Sequence, residues 1–192
     1  MMSRVCFGCL VVWCSGAFAE DSLEVRLARG DVIVSTEPVA GSDIPRVTVQ
    51  GVIDAPPEKM WTIIDDCGNY AKHMPRIAAS TEVSRDGNKV TCRITADMPW
   101  PVSDLTSESA GVHTVEPGKR WMREWKLVRG DYVQNTGRWV LTPFGTDATR
   151  TLAMYQVHVQ PKVALPQALL NSAQTKTLPT VIYRLREVMK AK

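Results

Sequence analysis

The sequence predicts an α+β domain, a curved antiparallel sheet closing over one long C-terminal helix. Two observations point that way. From Leu165 to about Lys190, Leu165, Ala168, Leu169 and Ala173 recur at helical spacing, and Leu178, Ile182, Leu185 and Met189 do so again with charges between them. Upstream, Arg46 to Val159 reads as extended strand with one short helical insert. A helix of about 26 residues is about 39 Å long, enough to cross a small domain. Its apolar runs need a partner, and the sheet supplies one. Pro166 suits a first helical turn, whereas Pro179 lies inside the pattern and cannot donate to the carbonyl of Thr175. At about 100° per residue the step from Leu169 to Leu178 turns the apolar face by roughly half a circle. A bend is therefore predicted between Thr175 and Pro179.

Residues 1–19 stand apart. Arg4 gives a positive n-region, Val5 to Trp13 an apolar core, and Ala17-Phe18-Ala19 a cleavage site ahead of Glu20-Asp21. The expectation is a signal peptide cut after Ala19 and a periplasmic or secreted protein. The apolar core is too short to span a bilayer. Three of the five cysteines, Cys6, Cys9 and Cys14, leave with it. Cys67 and Cys92 remain, in an oxidising compartment, with two buried thiols favoured over a bridge because sequence cannot show whether they approach. The chain carries 23 Lys and Arg against 20 Asp and Glu. That balance gives no footprint for nucleic acid or an anionic membrane surface.

In residues 20–45 the β-rich runs Leu23 to Ala28 and Val32 to Thr36 flank Gly30-Asp31 and read as a hairpin, with Pro38 to Pro45 as a loop. Arg46 opens the main domain, residues 46–192. A strand runs to Ile53, Pro56-Pro57 starts a short helix facing Met60, Trp61 and Ile64 inward, and Cys67-Gly68 is expected to close it with a left-handed cap. A second short helix, Asn69 to Met74, stops at Pro75. Strands follow at Ile77 to Arg85, Lys89 to Asp97, Val102 to Val115, Arg120 to Arg129, Thr136 to Pro143 and Arg150 to Gln160. Asp86-Gly87-Asn88, Pro117-Gly118 and Gly145-Thr146-Asp147 supply turns. The link from Arg129 to Asn135 has no obvious turn signal.

That order, with the Asp54-Ala55-Pro56-Pro57-Glu58-Lys59-Met60-Trp61 run, Tyr70 ahead of Met74-Pro75, Met98-Pro99-Trp100-Pro101-Val102-Ser103-Asp104 and the Leu178-Pro179 step, resembles the START-like helix-grip superfamily. Its members include START lipid-transfer domains, coenzyme Q-binding proteins and polyketide cyclase/dehydrase proteins. The resemblance spans about Val47 to Lys190. It implies a cavity between sheet and helix that holds a hydrophobic small molecule. Leu105-Thr106 stands where the START pattern usually continues with an Arg-Asp pair.

Residue patterns nominate the lining. Trp121, Arg123, Trp125 and Leu127 share one face of a strand, and a buried Arg123 between two indoles needs either a structural carboxylate or a ligand. Both readings stay open. Trp100, Trp139 and Tyr155 add aromatic surface, and Leu165 and Leu169 come from the first half of the helix. No cofactor and no metal are expected. His73, His113 and His158 lack paired metal-ligand spacing, and no nucleophile elbow, phosphate loop or dinucleotide fingerprint occurs. Two functions follow: an exported binding module for a lipid, quinone or polyketide-like molecule, or a cyclase/aromatase-type enzyme in which Arg123, Tyr155 or a histidine handles protons. A transient membrane contact would suit the first.

Overall fold

The computed structural model describes residues 21–146 and 148–191. The expected signal peptide and its cleavage site lie outside the described residues. Eight strands form one antiparallel sheet: β1 (Ile33–Val39), β2 (Ser42–Ile53), β3 (Ile77–Asp86), β4 (Lys89–Ala96), β5 (Leu105–Glu116), β6 (Arg120–Gly130), β7 (Tyr132–Phe144) and β8 (Arg150–Pro161). Their order across the sheet is β1-β2-β8-β7-β6-β5-β4-β3. The crossover from β2 to β3 carries two helices, α2 (Pro57–Ile64) and α3 (Tyr70–His73), so β2 can pair with β8 while β3 starts the far edge. The chain ends in α4 (Gln167–Ser172), a π-helical segment (Ala173–Thr177) and α5 (Thr180–Lys190).

The interruption in the terminal helix falls where the apolar phase changes. The Leu178 amide bonds to the Ala173 carbonyl, five residues back, and Pro179 then begins a fresh helix. In α5 the buried residues are Val181, Ile182, Leu185, Val188 and Met189, a stripe at helical spacing. Ile182 rests on Gly51 of β2, where a Cβ would come within 2.6 Å of its Cγ2. Met60, Ile63 and Ile64 of α2 join the same core, together with Trp121, Trp139 and Leu141 of the sheet. Burial of each large side chain here contributes about 1.5–3 kcal/mol.

The N-terminal hairpin differs from expectation. Leu23–Ala28 is helix α1: Ser22 caps it by accepting from the Val25 amide at 3.3 Å, and Asp31 holds Arg26 and Arg29 beyond its end. The capping side chains outweigh the β-propensity of the run. The hairpin lies one element later, between β1 and β2, with Gly41 at φ 75° in its turn. Pro38 and Pro45 are therefore in strands rather than a loop. Pro38 is tolerated because β1 is an edge strand whose register shifts there. The left-handed cap expected at Cys67-Gly68 is also absent. Helix α2 ends at Asp65 in a right-handed conformation, and Cys67–Asn69 forms a 3-10 turn.

That turn is held by a Cys67–Cys92 disulfide with a Cα–Cα distance of 6.3 Å, in place of the favoured pair of thiols. The unassigned link before β7 is a tight corner. Gly130 takes φ 135°, and the Asp131 carboxylate accepts from the Thr106 amide at 2.7 Å. A Cβ on Gly130 would run into the Thr106 carbonyl.

Candidate ligand cavity

Between the concave face of the sheet and the C-terminal helix lies a cavity of about 320 Å³, within the range of small-molecule sites. The sheet contributes an aromatic wall. Trp125 and Tyr155 stack with centroids 6.0 Å apart, and Tyr155 meets Trp139 at 4.5 Å. Glycine at position 137 makes the wall feasible, because a Cβ there would collide with the Trp125 ring and the Gln156 carbonyl. The helix side closes with Leu170, Ala173 and Leu178. Arg76, also on the lining, has a side chain 45% exposed and paired to Asp97 at 2.8 Å, which marks the open side.

Arg123 lines this cavity and is 4% exposed. It donates to the Tyr70 hydroxyl at 2.9 Å and to the Ile64 carbonyl at 3.4 Å through one terminal nitrogen, and to Cys92 Sγ at 2.8 Å through the other. Its carbon lies 5.3 Å from the Tyr70 ring centre. Ile64 ends α2, so the guanidinium faces the negative end of a helix. No carboxylate pairs with it among the described residues, and its Nε is buried without a hydrogen-bond partner. The structural ion pair considered from sequence is absent among the described residues. The cation is solvated instead by neutral acceptors.

A second polar group is a relay from Trp125. Its indole donates to Asn135 Oδ1 at 3.0 Å, and the Asn135 amide donates to Ser107 Oγ at 3.0 Å. Burial pushes the Tyr70 and Tyr155 phenols up, opposed in both by the Arg123 charge, and carries Tyr132 up to about 12 with help from Asp131. All three line the cavity and stay neutral near pH 7. They can hydrogen-bond a ligand but offer no ready base.

Of the residues nominated from sequence, Arg123, Trp125, Trp139, Tyr155 and Leu165 border the cavity. Trp121 does not. Two residues along the same face, it is 3% exposed and packed in the core with α2. Leu169 is replaced on the lining by Leu170, because α4 begins at Gln167 and one residue turns the face by about 100°. Trp100 is 92% exposed in the loop before β5, which starts at Leu105 rather than Val102. Neither flanking strand reaches it, since β4 ends at Ala96 and β5 begins at Leu105.

Several lining residues had no sequence signal as ligand contacts. Tyr70 stood out only in the run ahead of Met74-Pro75 that carries the family resemblance, Asn135 fell in the unassigned link, and Cys92 of β4 was read only as one of two cysteines. Among the described residues no group of His, Cys, Asp and Glu is placed to hold a metal ion, and no helix is long and apolar enough to cross a membrane.

Solved structures share this architecture. A STAR-related lipid transfer protein from Xanthomonas axonopodis superposes with a TM-score of 0.71 at 20% identity, covering 90% of this chain and 97% of its own. Human StAR-related lipid transfer protein 5 gives 0.73 at 14% identity, covering 84% and 83%. The Zhui aromatase/cyclase of Streptomyces gives 0.51 at 17%, covering 76% and 82%. At these identities the likeness concerns the fold: a START-like helix grip. No curated protein matches the sequence. Residues 53–186 do match the family model for polyketide cyclase/dehydrase and lipid transport, and this chain belongs to that family.

Proposed function

We propose that the protein is an exported carrier that shields one amphipathic molecule, a lipid, quinone or polyketide-like compound, with its acidic or carbonyl head on Arg123. The observation that carries this reading is the pairing of an apolar aromatic cavity with one buried guanidinium that lacks a carboxylate partner among the described residues. A charge so placed is costly unless something completes its solvation, and a ligand head can do so. The family's association with lipid transport, and the lipid-transfer proteins that share the fold, support a carrier.

Cyclase or aromatase chemistry in the same cavity is the second reading, favoured by the family's association with polyketide cyclases and by the Zhui likeness. It would rest on Arg123 and the phenols, since no carboxylate or imidazole lines the cavity among the described residues. The carrier accounts for more of the lining.

Arg123→Met tests the reading. Affinity for a carboxylate-headed amphiphile should fall by about 1.5–3 kcal/mol, the worth of a hydrogen bond to a charged group. Thermal stability should hold or rise, because the change removes a buried cation and strands no carboxylate. A lower melting temperature with unchanged affinity would take Arg123 out of the site. Export is tested by N-terminal sequencing of the native protein, expected to begin at Glu20. A sequence beginning at Met1 would refute it.

A further inference from the structure

Behind Arg123, on the side away from the cavity, sits a histidine that the proposed function does not use. His113 of β5 is the cross-strand partner of Arg123 in β6 and is 5% exposed. Cross-strand partners place their Cβ atoms about 4.5–5.5 Å apart on one face of the sheet. The His113 Nδ1 lies 2.8 Å from Asp65 Oδ1, and Asp65 is 37% exposed in a surface cleft that His113 also lines. The other ring nitrogen, Nε2, is buried without a partner, as is Arg123 Nε. A guanidinium open to the cavity is thus backed by an imidazole whose carboxylate partner touches solvent.

We propose that His113 is a proton-accepting positioning residue for Arg123, so that seating an acidic head on the guanidinium draws one proton from solvent onto the His113–Asp65 pair. This rests on the reading of Arg123 as the head-group site.

Among the described residues, the charged groups that face His113 come from three elements. Asp65 closes α2, Arg123 lies on β6, and Arg85 of β3 reaches in while tied to Asp65 at 3.0 Å and to Glu82 at 2.7 Å. Trp61 adds an uncharged ring at 5.2 Å, and the Asn88 amide bonds the His113 carbonyl. Burial first, then the Arg123 charge, hold the imidazole below its ordinary value, while Asp65 pulls the other way. An anion on Arg123 cancels the second of these and leaves Asp65 less opposed. The neutral imidazole donates from Nδ1 to Asp65 and takes the new proton on Nε2. Between the free and bound protonation midpoints, affinity for the acid then falls as pH rises, by up to about tenfold per pH unit for one proton.

The test titrates decanoate, with 1-decanol as the uncharged control, by calorimetry from pH 6 to 8 in phosphate and in imidazole buffer, for the wild type and His113→Asn. Asparagine keeps a donor for Asp65 but cannot take a proton. The wild type should show proton uptake on binding decanoate that grows as pH falls from 8 to 6, and the variant should show none anywhere in that range. Preference for decanoate over decanol without uptake in the wild type, or equal uptake in both proteins, overturns the role of His113 and leaves Arg123 standing. Equal binding of decanoate and decanol removes the head-group site, and this inference with it. Should the variant fail to fold, nitrogen chemical shifts of His113 in the wild type decide: decanoate should move them toward imidazolium at constant pH, and unmoved signals overturn the proposal.

Discussion

At the scale of single residues, stability should depend on pH well above the carboxylate range. His113 and His158 are buried, and burial holds both imidazoles below 6.5 in the folded state. The unfolded chain therefore binds more protons as pH falls below that value, and the stability present above it is lost as pH drops toward the folded values. The melting temperature should fall between pH 7.5 and 5.5, before Glu82, which Arg85 holds below 4.5, begins to titrate. A flat or rising melting temperature over that interval would contradict the burial of two neutral imidazoles. Neither histidine was legible as such in the sequence. Alternation placed Arg123 and Trp125 on an inward face because period two is a local property, but His113 stands opposite Arg123 only through the β5–β6 register. Tyr70 and the Ile64 carbonyl reach Arg123 from 53 and 59 residues away. Strand periodicity has no access to partners so distant.

Among the elements, those with strong periodicity and explicit punctuation fell close to expectation. Pro56-Pro57 opens α2, Asp86-Gly87-Asn88 turns β3 into β4, and the phase change near Pro179 coincides with the π segment. Misplaced elements lacked such marks. Leu23–Ala28 alternates like a strand, and its cap at Ser22 and anchor at Asp31 act only once a helix has formed. The Gly130 corner works through a close approach to Thr106 from another strand. The disulfide is a bond between elements, tying the turn after α2 to β4 across 25 residues. Closing a loop of that length restricts the unfolded chain by about 3–4 kcal/mol. Replacing both cysteines with alanine should cost about that much in urea unfolding, and it also removes the sulfur that Arg123 contacts at 2.8 Å. A loss below about 1 kcal/mol would mean that the bridge contributes little beyond its packing.

For the whole molecule, the sheet and the terminal helix divide two tasks. Helix α5 fills the end of the concave face near Gly51 with a continuous apolar stripe, while α4 and the π segment cover the end where Trp125, Tyr155 and Trp139 stand. The phase change near Pro179 lets one helical run do both, since a straight stripe would present a single face. The core end holds the fold, and the aromatic end retains a cavity of about 320 Å³ with the buried Arg123 on its lining. On the proposed function, this space holds an amphipathic molecule anchored at Arg123. Native mass spectrometry of the protein purified from its own host, followed by extraction, tests it most directly. The wild type should carry one small molecule with an apolar body and an acidic or carbonyl head, and Arg123→Met should lose it. A wild-type protein of bare polypeptide mass, or a variant that retains the same molecule in full, would contradict that function.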